Sequence, residues 1–179
     1  TIPFPKEVYC IHRALIIDVI SNELDKNSYE LSKEVESIEN KKTIKVKFKD
    51  KTIEEFDALI ASDGINSTIR KSVFPEIGIR HAHQVIWRGI TKFDINADLK
   101  HTYYELFEGT LRFLFLPLND NEIFWLAVQK KKNLNKKSST SLKSYLLRIY
   151  RNFNPIVLDI LTKTTESDDV RSDIEGLEK

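Results

Sequence analysis

Asp63 and Gly64 hold the chemistry that stands out in this chain, because a carboxylate and a glycine come directly after the apolar run Ala58 to Ala61. Ligands of open α/β sheets gather at the carboxyl ends of buried strands, and Gly64 permits a ligand close approach to the backbone there. Asn66 or Ser67 can cap a following helix, with Ile69, Val73 and Phe74 on its buried side and Arg70 off it. The unit 57–70 reads as strand, ligand turn, helix. A second reading of Asp63 stays open, since an Asp in a turn also caps the next helix through its own side chain. Arg70 can pair with Asp63, meet a phosphate, or be a surface side chain.

Other chemistry is scarce. The five glycines form no phosphate-cradling loop, and no Gly-x-Ser-x-Gly is present. His81 and His83 could share a metal from alternate strand positions, but no cysteine or carboxylate stands at ligand spacing, so no metal site is expected. Cys10 is the only cysteine, which excludes an internal disulfide and fits a reducing compartment. Basic and acidic residues number 28 and 27, so no global field argues for nucleic acid or an acidic membrane. The basic run Lys130 to Lys137 lacks interleaved aromatics and reads as a solvated loop. No apolar run approaches the ~18 residues of a membrane span. No signal peptide opens the chain, and a cytoplasmic location is the default.

The elements that must position these residues follow in order. Apolar residues 15, 16, 19, 20 and 24 have helical spacing, with Arg13 at the start of that helix. Three alternating segments, Tyr29 to Ile38, Thr43 to Phe48 and Thr52 to Phe56, predict a β-meander with Ile44, Val46, Phe48, Ile53 and Phe56 inward. Composition changes near residue 80, which sets a boundary between domains 1–80 and 81–179. Beyond it, four aromatic-rich strands are expected around 84–90, 101–107, 111–117 and 122–129, with Asn119 to Asn121 as a hairpin turn. Two helices follow, one with Leu142, Tyr145, Leu146, Ile149 and Tyr150 on one face and one opening at Pro155. The polar tail from Glu166 is expected to be half ordered. The fold class is α/β with mixed α+β character.

The stretch Asp57-Ala-Leu-Ile-Ala-Ser-Asp-Gly-Ile-Asn-Ser-Thr-Ile-Arg70 resembles the Asp-Gly motif of FAD-dependent aromatic hydroxylases, the p-hydroxybenzoate hydroxylase-like flavin monooxygenases. It departs at Ala61 and Ser62, both small. His12-Arg13-Ala14-Leu15-Ile16 resembles the family's helix-opening arginine, and Trp87-Arg88-Gly89, Pro117-Leu118 and Trp125 extend the similarity into the second domain. The resemblance implies a partial FAD-binding domain followed by a substrate-binding sheet covered by helices. It implies FAD as cofactor, NAD(P)H as co-substrate, and hydroxylation of an aromatic or polycyclic small molecule by O₂ through a flavin C4a-hydroperoxide. Arg13, Asp63, Gly64 and Arg70 become cofactor-binding candidates. Trp87, Tyr103, Phe113, Phe115 and Trp125 become candidates for one wall of the substrate pocket, with plain core as their other reading. No residue is assigned as catalytic, because the flavin performs the oxygen chemistry and the protein binds, orients and shields it.

The family's Gly-x-Gly-x-x-Gly and Gly-Asp motifs do not occur, and the chain contains no methionine, so a fragment from the middle of such an enzyme is expected. Two other functions remain: a related non-oxygenating flavoprotein such as a reductase, halogenase or cyclase, and a flavin-free binding module.

Overall fold

The structure is a computed structural model that describes residues 10–96, 99–130 and 141–165, together with the backbone of 170–177. The chain forms two compact units. One gathers residues up to Asp18 with His83–Ile174, and the other gathers Val19–Ala82 with the last five residues. The division falls inside α1 (Arg13–Glu23) and inside β4 (Ile79–Lys92).

The smaller unit contains β1 (Val35–Asn40), β2 (Ile44–Phe48) and β3 (Ile53–Phe56) as an antiparallel meander in that order. Alternation builds it: Val46 turns inward and is fully buried, while Lys45 and Lys47 turn outward. Lys45 bonds Glu55 across the strands at 2.8 Å, and Lys47 meets Glu36 at 3.1 Å. Such exposed pairs tune register more than stability. Ile44 and Phe48 are half-buried as expected. Ile53 and Phe56 are exposed, which corrects the expectation that they face inward: β3 is an edge strand, and Val46 is the only meander side chain that closes over fully. The short helix α2 (Thr68–Val73) lies beside β1.

The larger unit is a five-stranded sheet in the order β5-β6-β7-β4-β8. It comprises β5 (Tyr104–Glu108), β6 (Leu111–Asn119), β7 (Glu122–Lys130) and β8 (Val170–Leu177) besides β4. The three described ladders, β5 with β6, β6 with β7 and β7 with β4, are antiparallel. Register places Phe115 and Gly89 on either side of Trp125, and Phe113 and Trp87 on either side of Ala127. Alternation therefore sends Trp87, Phe113, Phe115 and Trp125 to one face. Helices α3 (Leu142–Ile149) and α4 (Pro155–Lys163) cover that face with Tyr145, Leu146, Tyr150, Val157, Ile160 and Leu161. Ser141 caps α3, and Asn154 caps α4, where Pro155 needs no amide partner. Burying each tryptophan contributes roughly 4–6 kcal/mol from the area it removes from water.

Several polar groups inside this core are matched, the Trp87 indole Nε1 being a buried donor without a partner. Trp125 Nε1 donates to Thr91 Oγ1 at 3.0 Å, and Thr91 Oγ1 lies 2.7 Å from Thr164 Oγ1. The Thr164 hydroxyl donates to the Ile160 carbonyl at 2.9 Å, so the Thr91 hydroxyl donates to Thr164 and accepts from the indole. Tyr150 donates to the carbonyls of Arg112 and Val128, and this burial pushes its phenol well above the ordinary tyrosine range.

Within the polar tail, expected to be half ordered, the backbone of 170–177 forms β8 next to β4, and the remaining tail residues lie outside the described residues. Lys131 to Lys137, most of the basic run, lies outside the described residues.

Candidate cofactor and substrate site

The expected buried strand at Ala58 to Ala61 is not formed. These residues make no ladder and are largely open, with Ile60 91% exposed. A strand buried on both faces needs neighbours on both edges, and the described ladders of this unit join only β1, β2 and β3. Val73 and Phe74 are likewise exposed, because among the described residues no layer covers that side of α2.

The turn itself is closely built. Gly64 has φ +78°, a left-handed conformation that side chains disfavour, and the space beside its Cα is open. The buried Ser67 caps α2, its hydroxyl accepting from Arg70 N at 2.8 Å, and its own amide returns to the Gly64 carbonyl at 3.1 Å. Asp63 Oδ2 accepts from Ile69 N at 3.2 Å. The Ser67 hydroxyl, followed by the Ile69 amide, holds the Asp63 carboxyl below the usual carboxylate range. Asp63 and Ser67 thus cap α2 together, in line with the second of the two readings open for Asp63.

Arg70 donates from Nη2 to the Ile65 carbonyl at 2.7 Å, closing the loop from the helix side. This contact is with the Ile65 carbonyl and not with Asp63. The Arg70 Nε is buried and has no partner. A guanidinium with one arm spent and one donor orphaned fits an acceptor brought by a ligand. Asp63, Gly64 and Arg70 are therefore brought together. Arg13 opens α1 in the other unit, exposed, beside His12, whose Nδ1 accepts from Ala14 N at 3.2 Å.

The aromatic candidates divide. Trp87, Phe113, Phe115 and Trp125 lie within the helix-covered core, where Phe113 stacks on Trp125 at 5.9 Å, so they support the sheet from behind. Tyr103 is 40% exposed. The opposite face of the sheet carries Ile86, Arg88, Ile90, Leu114, Phe124 and Leu126 by alternation and register, most of them half-buried. Two residues on this face were missed in the sequence. Arg112 forms an ion pair with Glu105, and its guanidinium lies 5.9 Å from the Phe107 ring centre. The Tyr103 hydroxyl reaches Glu105 Oε2 at 3.5 Å, and desolvation, then the Glu105 charge, raises its pKa. The inward Phe113 and Phe115 were the available signal, since they oblige Arg112 and Leu114 to face out.

Among the described residues no group of three metal-ligating side chains occurs, and no helix is long and apolar enough to cross a membrane.

The fold of this chain matches part of the solved structures of FAD-dependent monooxygenases. Among particular relatives, the Klebsiella pneumoniae HpxO structure with FAD and uric acid superposes with a TM-score of 0.82 at 20% identity, over 94% of this chain and 44% of HpxO. A salicylate hydroxylase substrate complex gives 0.73 at 17% identity, over 93% and 46%. In sequence, Monooxygenase 2 of Arabidopsis thaliana is 23% identical over 164 residues, 90% of this chain and 40% of the relative. The chloroplastic zeaxanthin epoxidase of Prunus armeniaca is 29% identical over 121 residues, 67% and 18%. No protein-family model matches. The chain thus spans less than half the length of these relatives.

Proposed function

We propose that this chain is part of an FAD-dependent monooxygenase that uses NAD(P)H and O₂ to hydroxylate an aromatic small molecule. The observation that carries the reading is the fold shared with HpxO over 94% of the chain, with the Asp-Gly turn intact inside it. FAD, when bound, accepts hydride from the nicotinamide and activates O₂ for transfer to the ring. Everything else is asked of the protein's own side chains.

The turn fits such a cofactor. Asp63 keeps acceptor capacity beyond its amide and hydroxyl partners, which suits ribityl hydroxyls, and the open side of Gly64 gives access. The orphaned Nε of Arg70 offers a charged donor, while its other arm holds the turn in shape. Arg13 is the candidate from α1. On the sheet, the face away from α3 and α4 supplies the apolar wall that keeps water from the reacting ring, with Phe124, Leu126 and Leu114 at its centre. Tyr103 and Arg112 add polar contacts at its β5 side, suited to an electron-rich ring bearing hydroxyl or anionic substituents.

The test is made on the longer polypeptide that contains this chain. Saturable flavin fluorescence quenching, then NAD(P)H-dependent O₂ uptake with stoichiometric hydroxylated product, is expected. Flavin binding without product would select a non-oxygenating flavoprotein, and no flavin binding would select a binding module.

A further inference from the structure

We propose that the sheet unit carries a second ligand site, an anion pocket at the end of α3 that takes a phosphate group. A cavity of about 400 Å³ opens there, lined in part by Thr110, Gln129, Tyr145, Arg148, Arg151 and Asn152. That volume suits a small ligand. The floor is fixed, since Tyr145 is buried and its hydroxyl donates to Gln129 Oε1 at 2.6 Å. The Arg148 guanidinium lies 5.4 Å from the centre of the Tyr145 ring, a stacking that orients its fork without using its donors.

Charge points to the ligand. Among the described residues neither Arg148 nor Arg151 has a carboxylate partner, whereas the lysines of β2 are paired with glutamates. Both guanidiniums line one cavity, and an oxyanion held between them would accept several N–H groups at once. The Asn152 amide adds a neutral donor. A phosphate group, compact and rich in acceptors, matches this set. Arg148 in the last turn of α3 also favours the helix dipole, which accounts for a cation there but not for a cavity between two of them.

Isothermal titration of the 179-residue chain with inorganic phosphate and with AMP, at ionic strength balanced by chloride, tests the site. Saturable one-to-one binding is expected, weakened about tenfold or more by Arg148→Gln with Arg151→Gln. Lys92→Gln and Lys163→Gln, which line a separate cavity, should leave it unchanged. Tighter binding of AMP assigns the site to a phosphate ester, and equal binding assigns it to the free ion. Should the double variant fail to fold, Asn152→Asp places a carboxylate on the rim and should abolish phosphate binding by a folded chain. Absence of saturable binding, or wild-type affinity in the arginine variants with only a lowered Tm for Arg148→Gln, overturns the proposal.

Discussion

The capping role of Asp63 and its proposed role toward the cofactor separate by substitution. Its carboxylate accepts from the Ile69 amide, and under the proposed function it also serves FAD. Asp63→Ala removes both, so the melting temperature should fall as expected for loss of about 1 kcal/mol of capping. FAD affinity in the longer protein should fall about ten- to a hundredfold. Asp63→Asn keeps an acceptor for Ile69 and loses the charge, so it should melt close to wild type while still binding FAD weakly. Melting by circular dichroism and flavin titration on both variants decide it, and normal flavin affinity in a destabilised Asp63→Ala would make Asp63 a residue of the fold alone. The pH dependence has a definite sign. Because the folded pKa is lowered from 3.8, the stabilisation is complete above that value and is lost as pH falls through the folded pKa. In Asp63→Asn that part of the acid loss should vanish.

A stronger acid-sensitive carboxylate sits in the meander. Asp50 accepts from the Thr52 hydroxyl and amide and meets Lys33 at 3.0 Å, which together depress its carboxyl to about 2. Its stabilising effect is present above 3.8 and lost between there and about 2. Acid titration followed by amide NMR should therefore show the turn Asp50 to Thr52 loosening in that window, and Asp50→Asn should abolish the transition.

At the scale of elements, the buried hydroxyls joining β4, β7 and α4 give an ordered prediction. Thr91→Val strands the Trp125 indole N–H, while Thr164 keeps the Ile160 carbonyl. Thr164→Val leaves Thr91 still accepting from the indole and strands only the Thr91 hydroxyl proton, which can rotate toward another acceptor as the fixed indole N–H cannot. Urea unfolding should rank Thr91→Val as the more destabilising by about 1 kcal/mol, within the usual range for an orphaned buried donor. Equal losses would mean that the indole finds another acceptor.

Elements were also where the sequence was most legible. Strand alternation located β1 to β7, and the 3.6-residue spacing of Leu142, Tyr145, Leu146 and Ile149 located α3, because both patterns are imposed by a local core that this chain contains. The turn's cap at Ser67 was legible for the same reason. Ala58 to Ala61 misled, since an apolar run reports what a segment could bury and not whether partners are present to bury it. For the aromatic stripe, period two fixes that Trp87, Phe113 and Trp125 share a face, but which face the helices cover is settled by packing between elements far apart in sequence. The Arg112–Glu105 pair was hidden for that reason too.

At the scale of the whole molecule, the exposed apolar surface is the unresolved force. Leu15, Ile16, Val19 and Ile20 of α1 are 41–61% exposed, and Ile60 stands almost entirely in solvent. A helix apolar on several sides is ordinarily covered, and the relatives extend over more than twice the length of this chain. We therefore expect the residues around α1 and Ala58 to Ala61 to be buried in the longer protein by a unit that also grips most of the dinucleotide. A Gly-x-Gly-x-x-Gly about a hundred residues before Arg13 is the sequence feature that such a unit would carry. The 179-residue chain alone should then bind FAD weakly or not at all, and should bind a hydrophobic dye. Ile20→Lys supplies the decisive contrast. In the isolated chain it should change stability by no more than about 0.5 kcal/mol, as surface substitutions do, and reduce dye binding. In the longer protein it should cost about 2–5 kcal/mol, the scale of a charge forced into a core, with loss of bound flavin. Measuring urea stability and flavin content of the same substitution in both contexts tests the idea, and equal tolerance in both would show that α1 faces solvent throughout.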